Sequence, residues 1–171
     1  MTDFQVQENT GTIEVQERHQ FDTAALQQYM GDNVEGYSGE LSVEEFAGGQ
    51  SNPTYLLTAG GKHYVLRRKP PGILLKSAHA VDREYRVLSA LRDTEVPTAK
   101  TYALCTDDSV IGTWFYIMEY LDGRVIWDST AGPYAPFERG EFWDSANEAM
   151  AKLHNVDFEA VGLSDFGKHS D

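Results

Sequence analysis

Two glycine turns close together constrain the fold of this chain more than any other feature. Strand-like segments at 41–47, 54–58 and 63–69 are separated by Gly48-Gly49 and Gly60-Gly61. Strands joined by tight turns must be antiparallel, because a parallel return needs a long crossover. The pattern therefore predicts a meander of three antiparallel strands.

The rest of the chain adds two strands and several helices to this meander. Apolar residues change from a period of two to helical spacing directly after Pro70-Pro71-Gly72. The predicted elements are helices at 23–30, 77–92 and 138–154 and extended segments at 97–104 and 114–121. We expect an α+β fold with a five-stranded antiparallel sheet, one face of which is covered by one main helix.

Composition and charge argue against several classes of function. The net charge is −13, whereas nucleic acids and anionic membrane surfaces select clustered lysine and arginine. The polar start of the chain does not resemble a signal peptide, and no apolar run approaches the length of a membrane span. The lone Cys105 fits a reducing compartment, and the histidines show no metal-binding spacing. These features predict a cytoplasmic protein.

A cation on the third strand and an acid on the following helix form the first candidate site. Alternation places Val65 and Arg67 on one face of the strand and Arg68 on the other. Val65 would lie against a nucleotide base, Arg67 would reach its phosphates, and Glu84 would hold Arg67 in place. The alternative is a solvated strand edge and a solvated helix acid, since surface ion pairs are common and weak.

Two loops complete the candidate site. Gly48, Gly49, Gln50, Ser51 and Asn52 offer backbone and side-chain donors to phosphates, although most such glycine turns are ordinary hairpins. The strand that ends in Met118, Glu119, Tyr120 and Leu121 precedes a bend at Asp122-Gly123. Its Glu119 carbonyl and Leu121 N–H would bind an adenine edge, or the strand is simply buried before a turn.

These segments occur in an order that resembles a known family. The runs 65–68, 83–88, 96–97 and 115–123 are similar to the first half of aminoglycoside-phosphotransferase-like proteins. The runs 48–52, 70–72 and 77–81, together with the tail from Leu153-His154 to Phe166-Gly167, resemble the branch associated with acyl-CoA dehydrogenases. The resemblance covers about residues 40–168.

The resemblance implies a protein-kinase-like fold and phosphoryl transfer from ATP, with Mg²⁺, to a small-molecule hydroxyl. It makes residues 48–52 the phosphate-covering loop, Glu84 the partner of the strand cation, and Met118, Glu119 and Leu121 part of the hinge. Arg67 stands where the family usually has lysine, and its longer, forked guanidinium changes phosphate geometry. The same resemblance suggests an association with an acyl-CoA dehydrogenase.

The residues that perform phosphoryl transfer are not recognisable in this sequence. Kinases use an H-R-D-x-x-x-x-N run followed by D-F-G, and the tripeptide Asp165-Phe166-Gly167 has no such run before it. We therefore identify no catalytic residue and no metal ligand in this sequence. We expect the chain alone to be inactive as an enzyme. Binding without catalysis, by a kinase-like module for a nucleotide or a partner, is the alternative.

The expected organisation has three parts. Residues 1–38 would be a leader with a short helix, and residues 39–122 would be the nucleotide-binding lobe. Residues 123–171 would be a linker and the first helix of an incomplete second lobe. The apolar face of that helix would then pack against helices that these residues do not include.

Overall fold

Six antiparallel strands form a single sheet in the described part of the chain. The computed structural model describes residues 11–48, 52–72, 79–123, 125–126, 130 and 134–167. The strands are β1 Thr12–Ile13, β2 Ser42–Phe46, β3 Thr54–Ala59, β4 Lys62–Arg68, β5 Thr101–Cys105 and β6 Phe115–Glu119. Their spatial order is β1-β2-β3-β4-β6-β5.

The predicted five-stranded antiparallel sheet is present, and one strand is added to it. The addition is β1, which pairs with the outer edge of β2 through Thr12 opposite Phe46 and Ile13 opposite Glu45. A two-residue strand has too little apolar alternation to be recognised in a sequence. The predicted meander of β2, β3 and β4 is confirmed.

Within the described ranges, four α-helices accompany the sheet: α1 Thr23–Asn33, α2 Val81–Leu91, α3 Asp108–Ile111 and α4 Pro136–His154. Asp22 caps α1 as expected, by accepting from the Ala25 N–H. The helix does not stop at Gly31, however, because burial of Met30 and Val34 extends its last turn. A short 3-10 helix, Glu17–His19, lies between β1 and α1.

One face of the sheet packs against α1 and α3 and contains the main core. Alternate residues on β3 and β4, among them Tyr55, Leu57 and Leu66, point to this face and are fully buried. Leu26 and Met30 of α1 pack on them. Both faces of the sheet therefore carry a helix, whereas the sequence predicts a helix on one face only.

Residues 12–19 are tied to the sheet by a buried polar network. The Glu45 carboxylate accepts from the backbone and side chain of Gln16 and contacts His19 Nδ1 at 2.7 Å. The His19 carbonyl accepts from the Tyr55 hydroxyl and from Arg68 Nη1. Buried charges need such partners. The segment from Thr12 to Val34 thus shares its core with the sheet.

The opposite face of the sheet is covered only in part. Helix α2 packs against β5 and β6, where Ser89 Oγ lies 2.8 Å from Thr101 Oγ1 and Arg92 donates to the Thr101 carbonyl. The parts of β3 and β4 beyond the helix remain accessible on this face. An open cleft forms there.

Helix α4 keeps an apolar surface exposed within the described structure. Its Phe137, Trp143, Met150 and Leu153 side chains are all exposed. The spacing of apolar residues predicts an apolar face on this helix. The division of the chain at residues 38 and 122 remains a prediction. No helix in the described ranges combines the length and apolarity needed to cross a membrane.

Replacing Leu26 by alanine tests whether α1 belongs to the core. We expect Leu26→Ala to lower the free energy of unfolding by about 2–5 kcal/mol, because it leaves a cavity under the sheet. Gln28→Ala, on the exposed side of α1, should change it by less than about 0.5 kcal/mol. Urea unfolding measures both, and equal effects would contradict a core role for α1.

A second prediction concerns alkaline pH. Burial raises the pKa of Tyr55 from 10.0 to about 12. The neutral phenol is therefore favoured in the folded state, and its contribution to stability is complete below pH 10 and lost as pH rises to about 12. We expect the free energy of unfolding to fall over this range, and less steeply in Tyr55→Phe. Urea unfolding at several pH values measures the slopes, and identical slopes would disprove the assignment.

Candidate functional site

Three side chains lie in a row across the middle of the sheet. In the strand register, Arg67 of β4 lies opposite Thr54 of β3 on one side and Tyr116 of β6 on the other. Directly opposed residues in a sheet point to the same face. All three therefore face the side that carries α2.

The predicted contact between Arg67 and Glu84 is present. Arg67 Nε donates to Glu84 Oε2 at 2.6 Å, and Arg67 Nη1 donates to Thr54 Oγ1 at 3.2 Å. About one third of each charged side chain is exposed. The guanidinium is held through Nε and Nη1, and the Arg67 side chain also lines the open cleft.

Glu84 receives three hydrogen bonds from three parts of the fold. Besides Arg67, the Tyr116 hydroxyl donates to Oε2 at 3.1 Å, and Asn52 Nδ2 donates to Oε1 at 3.0 Å. Burial, followed by the Glu84 charge, raises the pKa of Tyr116 far above its usual value. Tyr116 therefore remains a neutral donor at any physiological pH.

Beside this cluster lies a cleft of about 580 Å³. Its floor includes Val65 and Met118, which are paired across β4 and β6 one row away from Arg67. Gly48 borders it on one side, and the chain from Glu119 to Leu121 borders it on the other. An apolar floor next to a cation suits a flat aromatic group joined to an anion.

The chain after β6 has a defined backbone pairing at its start. The Glu119 N–H donates to the Lys100 carbonyl, and the Lys100 N–H donates to the Glu119 carboxylate. Leu121, which the sequence analysis assigns to a hinge, is 61% exposed at the edge of the cleft. This segment is therefore accessible to a ligand.

The glycine turn can be described only at its two ends. Gly49, Gln50 and Ser51 lie outside the described residues. Gly48 borders the cleft, while Asn52 is 4% exposed and uses its side chain within the protein. The role of residues 48–52 as a phosphate-covering loop stays a prediction.

The tripeptide Asp165-Phe166-Gly167 lies against α2 and not at the cleft. Arg86 forms an ion pair with Asp165, and Arg83 stacks on the Phe166 ring at 4.0 Å. Glu84 and Arg86 are two positions apart on a helix, so they point in roughly opposite directions. Asp165 therefore does not share the Glu84 cluster. No group of three or more metal-binding side chains occurs among the described residues.

Sequence reasoning missed three members of the site. Thr54 and Tyr116 flank Arg67, and His79 contacts Asn52 with its Nδ1 atom 2.7 Å from Asn52 Oδ1. The hairpin turn gives the register of β3 on β4, so it was a usable signal for Thr54. Tyr116 and His79 depend on non-local packing that no short-range pattern reveals.

Comparisons with known proteins identify the family of this chain. A family model described as phosphotransferase enzyme family matches residues 42–171. The chain belongs to this family. A solved structure from Ralstonia eutropha JMP134 that carries the name of an aminoglycoside phosphotransferase is 49% identical, with a TM-score of 0.77. The match covers 89% of this chain and 44% of that one.

The curated relatives of this phosphotransferase-family chain carry another name. Probable acyl-CoA dehydrogenase IBR3 of Arabidopsis thaliana is 46% identical over 90% of the chain, and acyl-CoA dehydrogenase family member 11 of Gallus gallus is 42% identical over 92%. The chain spans about a fifth of the length of these relatives, 20% and 21% respectively.

Removing the Tyr116 hydroxyl tests the Glu84 cluster. We expect Tyr116→Phe to lower the free energy of unfolding by about 1–3 kcal/mol, because the partly buried carboxylate loses a donor. Tyr102→Phe is the control, since its hydroxyl makes no hydrogen bond in the described part of the chain. Thermal unfolding compares the two variants, and equal losses would contradict the importance of the Tyr116 contact.

Proposed function

We propose that this chain is the nucleotide-binding part of an ATP-dependent phosphotransferase that acts on a small-molecule hydroxyl. The observation that carries the proposal is the contact between Arg67 and Glu84 beside the cleft. An acid on a helix that fixes the strand cation at the phosphates is the arrangement that protein kinases require. The family membership supports the same reading.

The proposed roles follow from the position of each side chain. Val65 and Met118 form the apolar floor on which adenine would lie, and Glu119 and Leu121 would present backbone groups to its edge. Arg67 would bind the phosphates through charge-assisted hydrogen bonds, which guanidinium groups form in a bidentate manner. Gly48 to Asn52 would lie over the phosphates.

The metal and the catalytic residues are proposed to come from parts of the protein beyond the described residues. Mg²⁺ supplies charge neutralisation of the phosphates in such reactions. The described residues include Arg67, the cation that would bind the phosphates, but no group of three or more metal-binding side chains. On this proposal the chain binds nucleotide but does not transfer phosphate alone.

The second candidate is a kinase-like module that binds a nucleotide or a partner without catalysis. Arg67, at the position where the family usually has lysine, favours this possibility. A longer form of the protein separates the two candidates. The first predicts release of ADP that depends on a hydroxyl-bearing acceptor, and the second predicts nucleotide binding without turnover. The association with an acyl-CoA dehydrogenase and the cytoplasmic location remain proposals.

Titration of the chain with Mg-ATP tests the binding role. Hydrogen bonds to charged groups contribute about 1.5–3 kcal/mol, so we expect Arg67→Ala to raise the Kd for ATP roughly tenfold to a hundredfold. The Kd for adenosine should stay unchanged, because the base does not contact Arg67.

Lys62→Ala is the matched control for this titration. It removes one positive charge from the same strand, about 16 Å from Arg67 along β4. We expect a change in Kd of less than about twofold, as screening weakens surface charges at that distance. A folded wild-type chain that binds neither ATP nor adenosine, as measured by calorimetry, would disprove the proposal.

A further inference from the structure

The Asn52 side chain connects two segments that are distant in sequence. Its Nδ2 donates to Glu84 Oε1 at 3.0 Å, and its Oδ1 lies 2.7 Å from His79 Nδ1. Asn52 is 4% exposed, which makes it one of the few buried polar residues in the described structure. The side chain thus joins the end of the glycine turn to the start of helix α2.

Hydrogen-bond chemistry fixes the orientation of this amide. An ionised Glu84 carboxylate only accepts, so the NH₂ group of Asn52 must face it. The Asn52 oxygen then faces His79, whose Nδ1 must carry a proton to donate. Each partner is compatible with a single orientation of the other, so the chain from His79 through Asn52 to Glu84 has one arrangement.

The two oxygens of Glu84 consequently have separate partners. Oε1 accepts from Asn52, while Oε2 accepts from Arg67 and Tyr116. A carboxylate bound on both oxygens cannot rotate about its terminal torsion without breaking a hydrogen bond. Asn52 therefore fixes the plane of the Glu84 carboxylate and, through it, the direction of the Arg67 guanidinium.

The backbone at His79 supports this assignment. His79 has a φ of +57°, in the left-handed region that residues other than glycine seldom adopt. Such conformations persist where the surrounding contacts over-determine them. The Val81 N–H donates to the His79 carbonyl, so His79 contacts both Asn52 and the first residue of α2.

We propose that Asn52 is a positioning residue that acts on phosphate binding through Glu84 and Arg67 and does not bind phosphate directly. His79 sets the orientation of Asn52. This inference rests on the proposed function, and it replaces the direct phosphate contact that the sequence predicts for Asn52. The buried amide, already bonded on both sides, has little surface left for a ligand.

Asn52→Asp tests the inference because it changes chemistry and keeps size. The aspartate places an acceptor against Glu84 Oε1, where the wild-type side chain has a donor. We expect the Kd for ATP to rise about tenfold, as Arg67 loses its fixed partner, and the Kd for adenosine to stay unchanged. An unchanged Kd for ATP in a folded Asn52→Asp variant would overturn the inference.

The Glu84→Gln background distinguishes positioning from direct contact. The amide of the new glutamine can donate to aspartate at position 52, so Asn52→Asp should raise the Kd for ATP much less there than in the wild-type background. A direct phosphate contact predicts the same increase in both backgrounds, because the added negative charge repels the phosphates each time. Equal increases would therefore overturn the inference.

His79→Ala provides a second variant if Asn52→Asp does not fold. It leaves Asn52 and Glu84 in place and removes only the group that orients the amide. We expect the Kd for ATP to rise about twofold to fivefold, whereas His154→Ala, at the end of α4, should leave it unchanged. No difference between the two histidine variants would overturn the role of His79 and with it the proposed chain.

A readout without nucleotide separates this inference from the proposed function. The effects of Asn52→Asp and Glu84→Gln on the thermal midpoint should be non-additive, since the two side chains are in contact. If the wild type binds no ATP but the two substitutions are coupled, the proposed function fails and the structural link stands. Additive effects on the thermal midpoint would overturn the link itself.

Discussion

The Glu84 carboxylate is the point on which the candidate site depends. It accepts hydrogen bonds from Asn52 at the end of the glycine turn, from Arg67 of β4 and from Tyr116 of β6. A carboxylate with this much contact is stable in a partly buried position only while its donors stay in place. The strand register and the placement of α2 are therefore constraints on the site as well as on the fold.

The two faces of the sheet have different roles, since one face holds the buried core and the other holds the open cleft. Arg67 faces the cleft, whereas its neighbour Arg68 is buried on the core face, where it donates to the His19 carbonyl and to Thr113 Oγ1. Helices α1 and α3 cover the core face. On the other face, α2 packs against β5 and β6 at one edge of the sheet, and the cleft lies beside it over β3 and β4.

Helix α2 is held from both sides. Toward the sheet it presents Glu84, and on its outer side Arg83 and Arg86 bind the segment that contains Asp165 and Phe166. This segment contains the sequence D-F-G of a kinase metal-binding motif. Its acid, Asp165, is nevertheless paired with Arg86 away from the cleft. A short motif carries its usual function only in its usual structural context.

The sequence alone determined the elements that follow from local rules. Alternation and the tight turns were sufficient to predict the antiparallel strands and the opposite directions of Arg67 and Arg68. The contact between Arg67 and Glu84 was one of two alternatives, and only the analogy with the kinase cation–acid pair pointed to it. Tertiary structure alone decided which residues complete the site. Tyr116 lies beside Arg67 because of the register of β6 on β4, and its hydroxyl binds Glu84. Asn52 binds Glu84 of α2, and residues 12–34 pack into the core. Each of these depends on contacts between segments far apart in the chain, which local patterns do not encode.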